Sequence, residues 1–189
     1  MQSLLGTGHW VQLLLAFSRA VDAVSDVFGY VAKWLVLTAC LVSAGNATVR
    51  YLVSYSSNGW LEIQWYMFGG IVLLGAAQTL RLNEHVRVDL VYSWVSDRTR
   101  LWIDMVGLIL FLLPVTAYLV YLTWPFFLNS FRSQEYSNNA GGLILWPIKA
   151  ALPLGFSLLF LQGVSELIKR VAGLMGVVRL DTHYEAPLQ

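Results

Sequence analysis

Residues 61–80 constrain this chain more than any other segment, because they form an apolar run of 20 residues in which Glu62 is the only formal charge. An α-helix rises about 1.5 Å per residue, so the run covers roughly 30 Å, the hydrocarbon thickness of a bilayer. It ends abruptly in the polar segment 81–89, RLNEHVRVD. The pattern predicts a membrane-spanning helix with a carboxylate at one edge that needs a partner.

Three further apolar runs have the length that a membrane crossing requires, at about 30–52, 102–126 and 146–168. Only 12% of the chain is charged and the mean hydropathy is +0.61, whereas soluble domains carry about 25% charged residues. The sequence therefore predicts an all-α integral membrane protein with a bundle of four transmembrane helices over residues 30–172. Residues 173–189 are predicted to be a cytoplasmic tail.

The first 29 residues are predicted to be an amphipathic arm that lies in the membrane interface. Apolar side chains recur there at steps of three or four, while a second face carries Arg19, Asp22 and Asp26. A helix that packs on another protein would show the same pattern, and both interpretations hold if that partner is itself embedded in the membrane.

The distribution of basic residues orients the predicted bundle. Eight basic residues fall on one side of the four spans, and three (Arg50, Arg132 and Lys149) fall on the other. The richer side is expected to be cytoplasmic, so both termini are predicted to be inside. Six tryptophans lie near span ends, where amphipathic rings favour the interface: Trp34, Trp60, Trp65, Trp102, Trp124 and Trp146.

The residue inventory gives no support for chemistry within the chain. A single cysteine excludes an intrachain disulfide. The three histidines lie outside the apolar runs, where they cannot ligate a haem inside the bundle. No ionisable residue lies in the central turns of a run, and a net charge of +1 gives no indication of a nucleic-acid partner. We expect no enzymatic activity, no metal and no cofactor in this chain.

Two charged residues near the outer ends of the first two spans are predicted to pair. Arg50 and Glu62 are joined by a short connection, and burying either charge alone would cost several kcal/mol, on the order given for unpaired ions. An intrachain bridge is favoured over a charged anchor facing another subunit. Small or polar positions within the spans, Ser43, Asn46 and Gly75, permit close helix contacts either inside the bundle or with a partner.

Charged residues near the opposite ends are predicted to be structural. The segment with His85 and Asp89 has no second histidine or cysteine nearby, so a loop cap is favoured over a metal site. Asp104 and Glu166 are expected to pair with Lys169 and Arg170. Pro114 is predicted to kink the third span, since a proline removes one backbone hydrogen bond.

Several short motifs, in order, resemble the DctQ-like small membrane subunit of tripartite ATP-independent periplasmic (TRAP) transporters. They are Arg50-Tyr51, Trp60-Leu61-Glu62, 74–77 (LGAA), 85–89 (HVRVD), Trp146-Pro147 and 153–156 (PLGF). The resemblance covers roughly residues 15–172.

This resemblance implies a partner role. It implies a large membrane subunit that holds the substrate and sodium sites, and a periplasmic binding protein that delivers an organic acid. The chain would then be a symporter's scaffold in the lipid of a bacterial inner membrane, with Arg50, Trp60, Glu62 and Trp65 as contact candidates. The alternative is a self-sufficient homo-oligomeric channel or carrier with a pore built from Ser43, Asn46 and Thr116.

Overall fold

The computed structural model describes residues 8–55, 57–83 and 96–177, and these are almost entirely helical. The helices are α1 (His9–Val53), α2 (Asn58–Leu82), α3 (Asp97–Gly107), α4 (Leu113–Ser133) and α5 (Trp146–Leu174). A π-helical turn at Leu108–Leu112 joins α3 to α4, so residues 97–133 form one rod. In the described ranges, four helical stretches are long and apolar enough to cross a membrane, which confirms the all-helical part of the prediction and its four candidate spans.

Each of the four predicted runs lies inside one of these stretches, but the helices extend beyond them. The connection between the third and fourth runs, which ended at 126 and began at 146, is helical as far as Ser133, since residues 128–133 contain neither glycine nor proline. Residues 1–7, the segment with His85 and Asp89, and residues 178–189 of the predicted tail lie outside the described part of the chain.

No helix end separates the predicted arm from the first span. Residues 9–53 form a single helix of 45 residues, about 68 Å long at the usual rise. This is more than twice the hydrocarbon thickness of a bilayer. The interfacial placement of the arm stays a prediction, whereas the division of the helix at residue 29 has no counterpart in the backbone.

Helix α5 is the centre of the bundle. Helices α1, α2 and α5 pack against one another, while the rod of residues 97–133 packs on α5. Gly155 of α5 faces Leu73 of α2, and Gly163 faces Leu112 of the π-helical turn. In the most apolar 18-residue window of each span, the buried share is highest in α5, at 39%, and lowest in α1, at 11%. The other helices therefore leave most of their apolar surface outward.

The contacts fix the direction of each helix. Ser18 and Ser25 of α1 contact Ser165 and Gln162 of α5, so residue numbers rise in one helix as they fall in the other. The α1 helix and the rod run antiparallel to α5, whereas α2 runs parallel to it. We call the end with the C-termini of α2 and α5 the basic end, and the opposite end the hairpin end.

The irregularity predicted at Pro114 takes the form of the π-helical turn that precedes it. Leu113 donates its backbone N–H to the carbonyl of Leu108, five residues back. A proline supplies no N–H and its ring crowds the preceding turn, and a wider turn accommodates both effects without ending the helix. The rod then continues for 21 residues beyond this turn.

Close packing between α2 and α5 gives a first prediction. A Cβ atom at position 155 would lie 2.7 Å from the Cβ of Leu73 and 2.8 Å from its carbonyl oxygen, so Gly155→Ala must push the two helices apart. We expect it to lower the free energy of unfolding by about 1–3 kcal/mol, measured by denaturant titration in mixed micelles.

Gly45→Ala is the matched control for this change. A Cβ at position 45 meets no heavy atom within 4 Å, so the free energy of unfolding should stay equal or rise slightly because alanine favours the helix. Equal stability of the two variants would contradict the close packing of α2 on α5.

Candidate functional site

Polar side chains meet at the basic end, where four helical segments converge. We call this cluster the basic-end network, and it consists of Ser18, Asp22, Ser25 and Asp26 of α1, Gln78 and Arg81 of α2, Asp104 of α3, and Gln162, Ser165, Glu166, Lys169 and Arg170 of α5. Its members from α1 recur at steps of three or four, as do those from α5. Each set therefore occupies one helix face.

Gln162 is the most enclosed member of the network, with no exposed surface. Its Nε2 donates to Asp22 at 2.9 Å and to Glu166 at 3.1 Å, and its Oε1 accepts from Ser25 at 2.7 Å. The amide thus satisfies a hydroxyl and two carboxylates at once. An amide suits this position because it provides donors and an acceptor without adding charge.

Asp22 joins three helices at one carboxylate. It accepts from Lys169 at 3.1 Å and from Ser165 at 3.1 Å, and Arg81 approaches it at 3.9 Å. Arg81 also pairs with Asp26. Buried charges are tolerated when they are paired and hydrogen-bonded, and these contacts meet that requirement.

A second group of ion pairs attaches the rod to α5. Arg170 contacts Asp104 at 3.2 Å and Glu166 at 2.6 Å, and Lys169 also pairs with Glu166. These contacts confirm the predicted pairing of Asp104 and Glu166 with Lys169 and Arg170. The guanidinium of Arg170 is 10% exposed, so it holds two helices together from within.

The first half of α1 presents its polar face to the other helices and its apolar face outward. Ser18, Ser25, Gly29 and Ala32 are buried, while large apolar side chains stand exposed, among them Trp10, Leu13, Leu14, Phe17 and Val24. This is the reverse of a helix on a water-soluble protein. It suits a helix whose outer face meets lipid.

Glu62 is the centre of a separate site at the hairpin end. The segment 134–145 folds back through an isolated bridge between Tyr136 and Ile144, and we call it the outer hairpin. Glu62 accepts from the Leu143 amide at 2.7 Å, from Asn139 Nδ2 at 2.7 Å, and from the hydroxyl of Ser137. Its side chain is enclosed by this hairpin, so the residue is only 8% exposed.

Two further contacts fasten the outer hairpin. Tyr66 donates its hydroxyl to the carbonyl of Ile144 at 3.1 Å, and Glu135 pairs with Lys149 at the start of α5. The ammonium of Lys149 holds the pKa of Glu135 below its usual value, so the carboxylate stays ionised under mildly acidic conditions. The outer hairpin is therefore tied to both α2 and α5.

The predicted pair of Arg50 and Glu62 is absent from the described part of the chain. Glu62 uses its oxygens on the outer hairpin, and Arg50 forms no ion pair with any residue described. Arg50 was the predicted partner because it lies near Glu62 in the sequence. Sequence reasoning missed Ser137, Asn139 and Leu143, which return to Glu62 after 75–81 residues.

The other candidates fall into two groups. Trp60 and Trp65 are exposed, at 46% and 75%, and Ser43 is also exposed while Asn46 is half-buried. Gly75 instead packs within the chain: a Cβ atom at this position would lie 3.6 Å from the Cβ of Ala32 in α1. A partner contact at each of these positions stays a prediction.

Thr116 does not join Ser43 and Asn46 in one place. Its hydroxyl donates to the carbonyls of Leu112 and Leu113 in its own helix. It lies along an apolar groove of about 610 Å³ between the rod, α5 and the end of α2. Ser43 and Asn46 lie in the C-terminal half of α1, a helix that packs on α2 and α5.

Within the described ranges, no group of three or more histidine, cysteine, aspartate or glutamate residues is arranged to hold a metal ion. Polar contacts hold the helical bundle at both of its ends. One end holds the helices together through ion pairs, and the other holds the hairpin 134–145 against the bundle.

Removal of the central amide gives the second prediction. Gln162→Leu leaves the Ser25 hydroxyl without its acceptor and takes a donor from two carboxylates. We expect about 1–3 kcal/mol of lost stability, the usual cost of an unsatisfied buried polar group. We also expect faster tryptic cleavage at the exposed Arg19, because the first half of α1 loses a fastening to α5.

Gln64→Leu is the control for the amide. Within the described residues, the side chain of Gln64 donates only to the carbonyl of Trp60 in its own helix, so both measurements should stay close to those of the unmodified chain. If Gln162→Leu is as stable and as resistant to trypsin as this control, the amide does not hold α1.

Comparison with known proteins adds one positive finding. A family model described as "Tripartite ATP-independent periplasmic transporters, DctQ component" matches residues 39–173, which is more than two thirds of the chain. No curated protein and no solved structure matches.

Proposed function

The chain belongs to the DctQ family of TRAP transporter components, and on that premise we propose that it is the small membrane subunit of a secondary transporter for organic acids. Its task is to hold a large membrane subunit in place in the bacterial inner membrane, with both of its own termini in the cytoplasm. The family match over residues 39–173 is the observation that carries this proposal. The substrate and sodium sites are assigned to the large subunit.

The distribution of apolar surface supports a scaffold. The helices are fastened to one another at their ends, while their sides expose many large apolar residues to lipid or to a partner. Membrane helices associate through packing and interhelical polar contacts. A bundle with this much free side surface and two fastened ends suits a static support beside a moving subunit.

The outer hairpin supports a second role, in docking a periplasmic binding protein. It lies at the end that the basic residues predict to be outward. Tyr136 and Asn138 of this hairpin are exposed, while Glu62 of α2 accepts three of its hydrogen bonds. A held hairpin loses less conformational entropy on binding than a free loop, which favours its use as a docking surface.

The alternative of a self-sufficient channel is not favoured. Its three pore candidates do not meet in one place, and Thr116 uses its hydroxyl within its own helix. Exposed apolar sides also suit a chain that meets a partner. The chain alone in liposomes should therefore give no flux of solute.

Uptake by the complete system gives the third prediction. With the large subunit and the binding protein present, Glu62→Ala should reduce uptake roughly tenfold, because hydrogen bonds to a charged group are lost from the hairpin. Co-purification of the large subunit should be unchanged. The measurement is labelled-substrate uptake into proteoliposomes beside pull-down of the large subunit.

Gln64→Ala is the matched control, since Gln64 lies half a turn away on α2 and makes no hairpin contact. Normal uptake with Glu62→Ala would contradict the docking role of the hairpin. Solute flux through the chain alone, or normal uptake by the other two components without it, would contradict the scaffold itself.

A further inference from the structure

We propose that Arg50 forms an ion pair with a carboxylate that the large membrane subunit presents at the hairpin end. This rests on the proposed function, since it specifies the chemistry of that partner. The sequence favoured a counter-ion within the chain and left an anchor that faces another subunit as the alternative.

Arg50 stands on an open part of α1. It lies in the last turn of that helix and its side chain is exposed. Its neighbours Tyr51, Leu52 and Val53 are 87%, 73% and 68% exposed. This end of α1 is therefore little packed by the described parts of the chain, and Arg50 is accessible to a neighbouring molecule.

The carboxylates described at the hairpin end are engaged elsewhere. Glu62 accepts three hydrogen bonds from the outer hairpin, and Glu135 pairs with Lys149. The remaining described carboxylates, Asp22, Asp26, Asp104 and Glu166, belong to the basic-end network. A charge on the side of a membrane helix is costly unless it is paired. None of these described carboxylates pairs with Arg50, so we assign its counter-ion to another molecule.

A helix of the partner fits this position better than a lipid headgroup. Ala47 and Ser43 lie on the same face as Arg50, about one and two turns before it respectively, and both are exposed. Small side chains let the backbone of a second helix come close, a feature that a flexible acyl chain does not need. Arginine then matches a carboxylate with two parallel hydrogen bonds.

The test is charge reversal with rescue. The tagged chain is co-expressed with its large subunit, and retention of that subunit is measured after purification. Arg50→Glu should reduce retention about tenfold or more, since it removes one partner of a desolvated pair and opposes the other. Each outward aspartate and glutamate of the large subunit is then changed to arginine in the Arg50→Glu background, and one of these pairs should restore retention.

Arg132→Glu is the matched control. Arg132 is an exposed arginine in the last turn of α4, at the same end of the molecule, and its reversal should leave retention of the large subunit unchanged. If Arg50→Glu is recovered poorly from membranes, Arg50→Gln replaces it, with an expected loss of retention in the same direction.

The outcomes separate this proposal from the one before it. If the Arg50 variants retain the large subunit as well as the unmodified chain does, the ion pair is overturned and the scaffold proposal is unaffected. A loss of retention that no charge swap restores also overturns it, and points to a lipid phosphate as the counter-ion. Failure of the unmodified chain to retain the large subunit overturns both proposals.

Discussion

The cost of a charge in an apolar surrounding governs this structure. Five carboxylates on the helices, Asp22, Asp26, Glu62, Asp104 and Glu166, have protein partners, and the polar contacts gather into one group at each end of the bundle. At the basic end, ion pairs and the Gln162 amide join α1, α2, α3 and α5. At the hairpin end, Glu62 and the Glu135–Lys149 pair hold a polar segment against the bundle. Between these ends, the helices meet mainly through small and apolar residues.

This arrangement explains how a thin bundle keeps its shape with little buried core. Helix α5 contacts the other elements and carries five members of the basic-end network, while the rod of residues 97–133 is fastened to it through Arg170. Since the fastenings lie at the ends, the apolar sides stay available for lipid or for a neighbouring subunit. That is the property that a supporting component of a transporter needs.

The sequence predicted the parts that depend on composition along the chain. Four apolar runs of sufficient length gave the helices, and the proximity of Glu166, Lys169 and Arg170 gave an ion-pair cluster. It did not predict the roles of Ser18, Ser25 and Gln162, since these depend on which helices become neighbours. A usable signal was that Ser18 and Ser25 lie seven residues apart, while Gln162 lies three and four residues before Ser165 and Glu166. The partner of Glu62 was missed because a chain reversal brings the hairpin back from more than 70 residues away.

The inward direction of the polar face of α1 is the central claim, and a disulfide tests it most directly. The hydroxyls of Ser18 and Ser165 lie 2.6 Å apart, a separation that suits a disulfide when both become cysteine. In a Cys40→Ser background, Ser18→Cys with Ser165→Cys should oxidise to an intrachain link, seen by mass spectrometry as one joined peptide pair. The pair Phe17→Cys and Ser165→Cys should not form a disulfide, because Phe17 lies on the exposed face of α1. Free thiols at 18 and 165 that react with a water-soluble maleimide, with no joined peptides, would contradict the account.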